Sequence, residues 1–173
     1  IAVTLVAQPV VTYWNREETI KKSEENYKNG IQHGRFAQWY KDGKPMREGQ
    51  YDMGMEHGVW KAWHPNGKLQ SQESFVKGKK EGAVTYWHEN GTVAQTGRYK
   101  QGLPDSTWNG WFENGSKKSV EQFQVVESKN SWVSLKNGAF EYYYSNGNKQ
   151  SEGFFIKDKQ EKAFRQFFDN GKP

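Results

Sequence analysis

The four histidines of this 173-residue chain form two pairs, His33 with His57 and His64 with His88, each pair separated by 24 residues. Imidazole is the commonest metal ligand and general base, so this spacing is the first place to look for chemistry. The acidic residues Glu48 and Glu152 are the other candidates, as a carboxylate pair for acid–base work. The sequence holds no phosphate-binding G-x-x-x-x-G-K-[ST], no dinucleotide G-x-G-x-x-G and no nucleophile-elbow G-x-S-x-G. Cysteine is absent, which removes disulfides, zinc–thiolate sites and thiol nucleophiles together.

The 24-residue interval belongs to the whole chain. Asp42-Gly43, Asn66-Gly67, Asn90-Gly91, Asn114-Gly115, Asn146-Gly147 and Asn170-Gly171 follow one another at spacings of 24, 24, 24, 32 and 24. An aromatic or aromatic–histidine pair precedes each dipeptide: Trp39-Tyr40, Trp63-His64, Trp87-His88, Trp111-Phe112, Tyr143-Tyr144 and Phe167-Phe168. Three residues before the first member of each pair stand Phe36, Trp60, Val84, Trp108, Phe140 and Phe164, and a further ring opens each unit at Tyr27, Tyr51, Phe75, Tyr99, Phe123 and Phe155. Six copies in register define a repeat protein. A worn partial copy surrounds Tyr13-Trp14.

Asn-Gly is the preferred two-residue type I′ turn, so each unit reads as a β-hairpin. A second turn follows each opening ring, at Gly30, Gly54, Gly78 and Gly102, and leads into the next hairpin. The expected fold is all-β: an elongated antiparallel meander of 24-residue hairpins, advancing about 10 Å per unit. Residues 1–26 form an N-terminal segment with the partial copy, and 27–173 form the six-unit domain. An insertion of eight residues falls within about 124–137 and carries Val125, Val126, Trp132, Val133 and Leu135. Period-2 alternation places Phe36, Trp60, Trp108 and Phe140 on one face and Trp39, Trp63, Trp87, Trp111 and Tyr143 on the other. A bulge within the strand would bring both rows to one side.

This geometry disposes of the histidines. Equivalent residues on successive hairpins lie about 10 Å apart, too far for one metal ion with bonds near 2 Å. The repeated acids follow the same register, so no unique catalytic pair stands out. No enzyme activity, metal or cofactor is expected.

Leu, Ile, Val and Phe supply only 30 residues, yet 8 Trp, 9 Tyr and 10 Phe exclude a disordered chain. The rings must form the core. No apolar run is long enough for a membrane-spanning helix. The apolar stretch Ile1 to Val10 reads as the remnant of a cleaved signal peptide or as an opening strand. The first reading tilts the expected location towards the periplasm or cell envelope over the cytoplasm. Twenty-five Lys and Arg against 20 Asp and Glu leave no electrostatic funnel for nucleic acid. The pairs Lys21-Lys22, Lys79-Lys80 and Lys117-Lys118 read as solvated surface.

The run Gly58-Val59-Trp60-Lys61-Ala62-Trp63-His64-Pro65-Asn66-Gly67, with Tyr51-Asp52-Met53-Gly54 before it, resembles the variant MORN repeat of bacterial YwqK-type proteins. The resemblance covers about residues 13–173 and departs where Ser106 and Lys162 replace the glycine of the other units. It implies a stack of β-hairpins in a family often labelled antitoxin-like, with related arrays acting as protein-binding or lipid-binding scaffolds. The leading expectation is therefore a protein-binding scaffold, antitoxin- or immunity-like. Glycan or cell-wall binding along the aromatic ladder and anionic lipid binding are the alternatives. The candidate binding residues are Trp39, Trp63, Trp87, Trp111, Trp132 and Tyr143. Because the insertion alone breaks the periodic surface, binding is expected to centre near Trp111, Trp132 and Tyr143.

Overall fold

Two kinds of tight turn, alternating along the chain, generate the whole architecture. The computed structural model describes residues 8–161 and 164–173; the apolar stretch before Gln8, with its cleavage-site reading, and Lys162 lie outside the described residues. No helix occurs among the described residues. The chain divides into two units, Ile1–Lys79 and Lys80–Pro173. In the first, β1 (Val10–Tyr13), β2 (Lys21–Lys28), β3 (Ile31–Trp39), β4 (Pro45–Asp52), β5 (Met55–Trp63) and β6 (Leu69–Val76) pair consecutively and antiparallel. The two-residue β7 (Lys79–Lys80) stands at the division. In the second unit the strands are β8 (Gly82–Trp87), β9 (Val93–Lys100), β10 (Leu103–Trp111), β11 (Lys117–Ser128), β12 (Ser131–Lys136), β13 (Gly138–Tyr143), β14 (Lys149–Ile156), β15 (Lys159–Gln160) and β16 (Arg165–Gln166). They too form an antiparallel meander, with β12 pairing to β11 as a side branch. The all-β antiparallel meander expected from the repeat is thus present in both units.

The turn chemistry is the reverse of the sequence expectation. The Asn of each Asn-Gly lacks a positive φ; only the glycine has one, from +81° at Gly171 to +89° at Gly91 and Gly147. In each, as in Tyr40 to Gly43, the glycine N–H donates to the carbonyl three residues back, so a type I turn ends in a left-handed glycine. The type I′ turns sit at the opposite end of the hairpins, at Asn29-Gly30, Met53-Gly54, Lys77-Gly78, Gln101-Gly102, Lys129-Asn130 and Lys157-Asp158, where both residues have positive φ. The Asn and Asp residues serve another purpose. Each side-chain Oδ1 accepts the N–H two residues on, as in Asn66 with Lys68 at 2.9 Å and Asn114 with Ser116 at 2.9 Å.

Beside the first five type I turns the register slips by one residue. Gln38 pairs with Arg47 but Trp39 with Pro45, and the same step recurs at Trp63, Trp87, Trp111 and Tyr143. The extra residue lies on the return strand, so alternation along the aromatic strand survives. Phe36 and Trp39 keep opposite faces, as do Trp60 and Trp63.

In each unit one face carries the core. Phe36, Trp60, Val84, Trp108 and Phe140 are all buried, with Trp60 the deepest at 2% exposed. Each ring borders others edge-on or tilted: Tyr51 to Trp60 at 5.1 Å, Tyr99 to Trp108 at 5.0 Å, Phe140 to Phe155 at 4.8 Å. The rings lie on glycines of the neighbouring strand. A Cβ on Gly49 would stand 2.2 Å from Trp60, one on Gly97 2.2 Å from Trp108, and one on Gly153 2.8 Å from Phe140.

The fourth repeat departs from its siblings twice. Ser106 holds a left-handed φ of +63° where Gly34, Gly58, Gly82 and Gly138 take positive φ from +71° to +128°, and the left-handed region costs a non-glycine residue roughly 1–2 kcal/mol. Trp60 donates its indole N–H to the Gln50 carbonyl at 3.2 Å, whereas Trp108 Nε1 is buried without a partner among the described residues. Trp60→Phe should therefore cost about 1–3 kcal/mol more than Trp108→Phe, since only the former deprives a carbonyl of its donor. Chemical denaturation of the two variants measures this; equal costs would contradict it.

Candidate functional site

In each unit the face opposite the core carries a second set of rings, at the strand ends beside the type I turns. Trp39 ends β3 and Trp63 ends β5; Trp87, Trp111 and Tyr143 end β8, β10 and β13. All five are half-buried. Their position follows from the hydrogen bonds of the turns. At four positions the residue after the ring reaches across to the carbonyl of the next ring in the row: Trp14 Nε1 to Trp39 O at 3.0 Å, Tyr40 Oη to Trp63 O at 2.7 Å, Tyr144 Oη to Phe167 O at 3.1 Å, with His88 Nε2 2.9 Å from Trp111 O. The partial copy at Tyr13-Trp14 thus joins the array as a working rung. His88, a potential ligand by type, is occupied here. Phe112 takes this position in the fourth repeat and has no donor to offer.

The Asn side chains add a second rung. Beyond capping their own turns, three of them donate Nδ2 to the next turn: Asn90 to Glu113 O, Asn114 to Ser145 O and Asn146 to Asp169 O, at 2.8–3.0 Å. At the far end of the hairpins the turn glycines donate back, Gly54 N to Gln32 O and Gly102 N to Lys80 O. There the residue before the left-handed glycine accepts an N–H from the following turn: His33 from Met53 at 3.5 Å, Glu81 from Gln101 at 2.9 Å, Asn137 from Lys157 at 3.4 Å. This explains His33 as a turn acceptor, a role its spacing alone did not disclose.

Around Tyr143 the ring row meets a charge network. Lys149 Nζ bonds Glu141 Oε1 at 2.8 Å and Glu152 Oε2 at 2.7 Å; Lys117 Nζ lies 3.6 Å from Glu141, and Arg165 lies 3.6 Å from Glu152. The Tyr143 hydroxyl donates to Glu141 Oε2 at 2.7 Å, while Lys117 and Lys149 stand 5.3 and 5.8 Å from its ring centroid. In the first unit Lys21 stands 5.6 Å over Trp39 and pairs with Glu24. Lys21 and Lys117, read from the sequence as solvated surface, are therefore working members of this face. Sequence reasoning missed the network because its carboxylates are brought to it by strand pairing, with Glu141 directly opposite Glu152.

Trp132 is elsewhere. The insertion extends β11 and returns as β12, a hairpin closed by Lys129-Asn130. Trp111 pairs with Lys117 and Trp132 with Glu127, ten residues apart on the same strand, or about 30 Å. Trp111 and Tyr143, on neighbouring hairpins, lie about 10 Å apart. The structure thus brings Trp111 and Tyr143 together and leaves Trp132 at the opposite end of the strands. The expected single centre on all three does not form.

The network sets a pH dependence. The hydrogen bond from Lys149, then that from Tyr143, hold the Glu141 carboxyl below its ordinary 4.5 against the effect of burial. The bonds to Glu141 and Glu152 raise Lys149. A depressed carboxyl contributes stability above its unfolded value and loses it as pH falls through the folded one. The melting-temperature advantage of the native chain over Glu141→Gln should be present at pH 7 and shrink below pH 4.5. A constant gap down to pH 3 would contradict it.

No curated protein matches the chain. The MORN repeat variant profile matches four times, at residues 32–53, 56–77, 80–101 and 136–157. The fourth match resumes after the inserted hairpin, in register with the earlier three. Together they cover just over half of the sequence, on the repeats whose turns and ring rows are described above. The chain belongs to the MORN repeat variant family.

Proposed function

We propose that this chain is a non-catalytic repeat scaffold that binds another protein through the ring row opposite its core, as an antitoxin or immunity partner would. Repeats of this family mediate binding to proteins or membrane lipids. The observation that carries the protein reading is the pairing of rings with charges of both signs at Trp111 and Tyr143. Aromatic side chains beside partly desolvated ion pairs are what protein hot spots are made of. An anionic lipid surface calls for a basic cluster, whereas Lys117 and Lys149 are balanced by Glu141 and Glu152. A glycan calls for open ring faces, and Lys21 over Trp39 and Lys117 over Tyr143 crowd them. The same carboxylates are engaged by lysines and a tyrosine, which argues against a pair set aside for acid–base chemistry.

A photo-crosslinking side chain placed at Trp111 should capture a discrete protein when the chain is expressed in its native cell. One placed at buried Trp108 should not. Absence of a protein adduct at Trp111, together with co-flotation of the chain with phosphatidylserine vesicles, would overturn the reading in favour of lipid.

A further inference from the structure

The inserted hairpin exposes the main chain of β12 along one edge. Among the described residues β12 pairs only with β11. Its two-residue turn makes Ser128 and Ser131 a hydrogen-bonded pair, so Ser131, Val133 and Leu135 bond inward to β11. Trp132, Ser134 and Lys136 then direct their N–H and C=O outward. Lys136 fits this assignment: its N–H donates to Asp158 Oδ1 at 2.7 Å and its carbonyl accepts the Asp158 N–H at 2.9 Å. The outward groups of Trp132 and Ser134 continue that line, with no strand beside them among the described residues.

Edge strands are ordinarily blunted by proline, by an inward charge or by a bulge. The stretch Ser131-Trp132-Val133-Ser134-Leu135 has neither proline nor charge, and β11 and β12 pair without a register slip. The hairpin is also anchored. Val125, itself buried, donates its N–H to Asp105 Oδ1 at 2.9 Å, and Ser134 Oγ donates to the Pro104 carbonyl. The exposed Trp132 ring flanks the edge with Lys100 5.8 Å from its centroid. Lys129 closes the hairpin, and Lys157 and Lys159 flank Asp158 at the other end of the edge; all three are exposed and form no ion pair among the described residues.

We infer that the open edge of β12 accepts an extended acidic peptide segment of a partner protein, added antiparallel as a further strand, with apolar side chains alternating against Trp132. Main-chain bonds to Trp132 and Ser134 supply the recognition common to strand addition, and the lysines select acidic over basic sequences. This inference rests on the protein-binding reading and gives it a second surface, distinct from Trp111 and Tyr143.

The test uses the full chain and a blocked ten-residue peptide of alternating glutamate and valine, with the lysine–valine peptide as control. Amide exchange is followed by NMR. Glutamate–valine peptide should slow exchange at Trp132 and Ser134 at least ten-fold, and the lysine–valine peptide should not. Trp132→Pro removes an outward N–H that no ladder bond uses, so it should abolish the effect while the melting temperature shows that the sheet persists. No slowing at these two amides at millimolar peptide overturns the inference. Slowing at β1 or around Trp111 instead also overturns it but leaves protein binding standing. Protection that grows with protein concentration alone would assign the edge to a second copy and sink the peptide proposal. Binding of phosphatidylserine vesicles with no response to either peptide would remove both readings.

Discussion

A tryptophan laid flat on a glycine is the contact on which the rest of this structure depends. With no second layer among the described residues, each unit must build its core from side chains that cover their own strands. Trp60 and Trp108 do so only because Gly49 and Gly97 leave the backbone bare; any Cβ there would enter the ring. The rings flanking them, Tyr51 and Tyr99, meet them edge-on, the arrangement that the aromatic quadrupole favours. Arg47 adds its guanidinium over Trp60 at 4.2 Å and pairs with Glu56, closing the ring from above. The large aromatic content is therefore the substitute for a second sheet. With one face spent on covering itself, the opposite face is left for the ring row and its charges.

The stacked rings fix the spacing of the hairpins, and polar ladders at both ends fix their register. An Asn at the type I turn works twice, accepting within its own turn and donating to the next, and Asp42 can do only the first. There Lys44 supplies the missing donor, reaching the Pro65 carbonyl at 3.2 Å. The same economy appears where the insertion interrupts the other ladder. The Pro104 carbonyl occupies the position of the Gln32 and Lys80 carbonyls, which accept from turn glycines, and Ser134 Oγ takes the donor's place. Asp105 likewise accepts Val125 N–H where His33 accepts Met53 N–H. The inserted hairpin is thus tied in by the bonds that any repeat would use, which is how a regular array tolerates it.

Much of this was legible in the sequence because turns and rings obey local rules. The six Asn-Gly or Asp-Gly dipeptides revealed the hairpins and their number, and alternation correctly separated the Phe36 row from the Trp39 row. The turn types were exchanged because Asn-Gly is a type I′ signal by propensity, whereas here the Asn side chain is claimed by the N–H two residues on. The insertion's length was readable but not its direction: eight residues can lengthen a hairpin at either end, and only the pairing of Glu127 with Trp132 shows that it grows away from Trp111. The charge network around Tyr143 was hidden for a related reason. Lys117, Glu141, Lys149 and Glu152 have no common spacing, and strand pairing alone makes them neighbours.

If the ring-on-glycine contact is the foundation, Gly97 and Trp108 must be strongly coupled. A double-mutant cycle with Gly97→Ala and Trp108→Val, read by chemical denaturation, measures that directly; Val84 shows that valine is accepted in the row. Gly97→Ala should destabilise the native chain by about 2 kcal/mol or more through steric conflict with the indole. In the Trp108→Val background it should be neutral or stabilising, since alanine suits a strand better than glycine, giving a coupling above about 1 kcal/mol. An equal cost in both backgrounds would contradict the account, because the glycine would then be there for some reason other than the ring that lies on it.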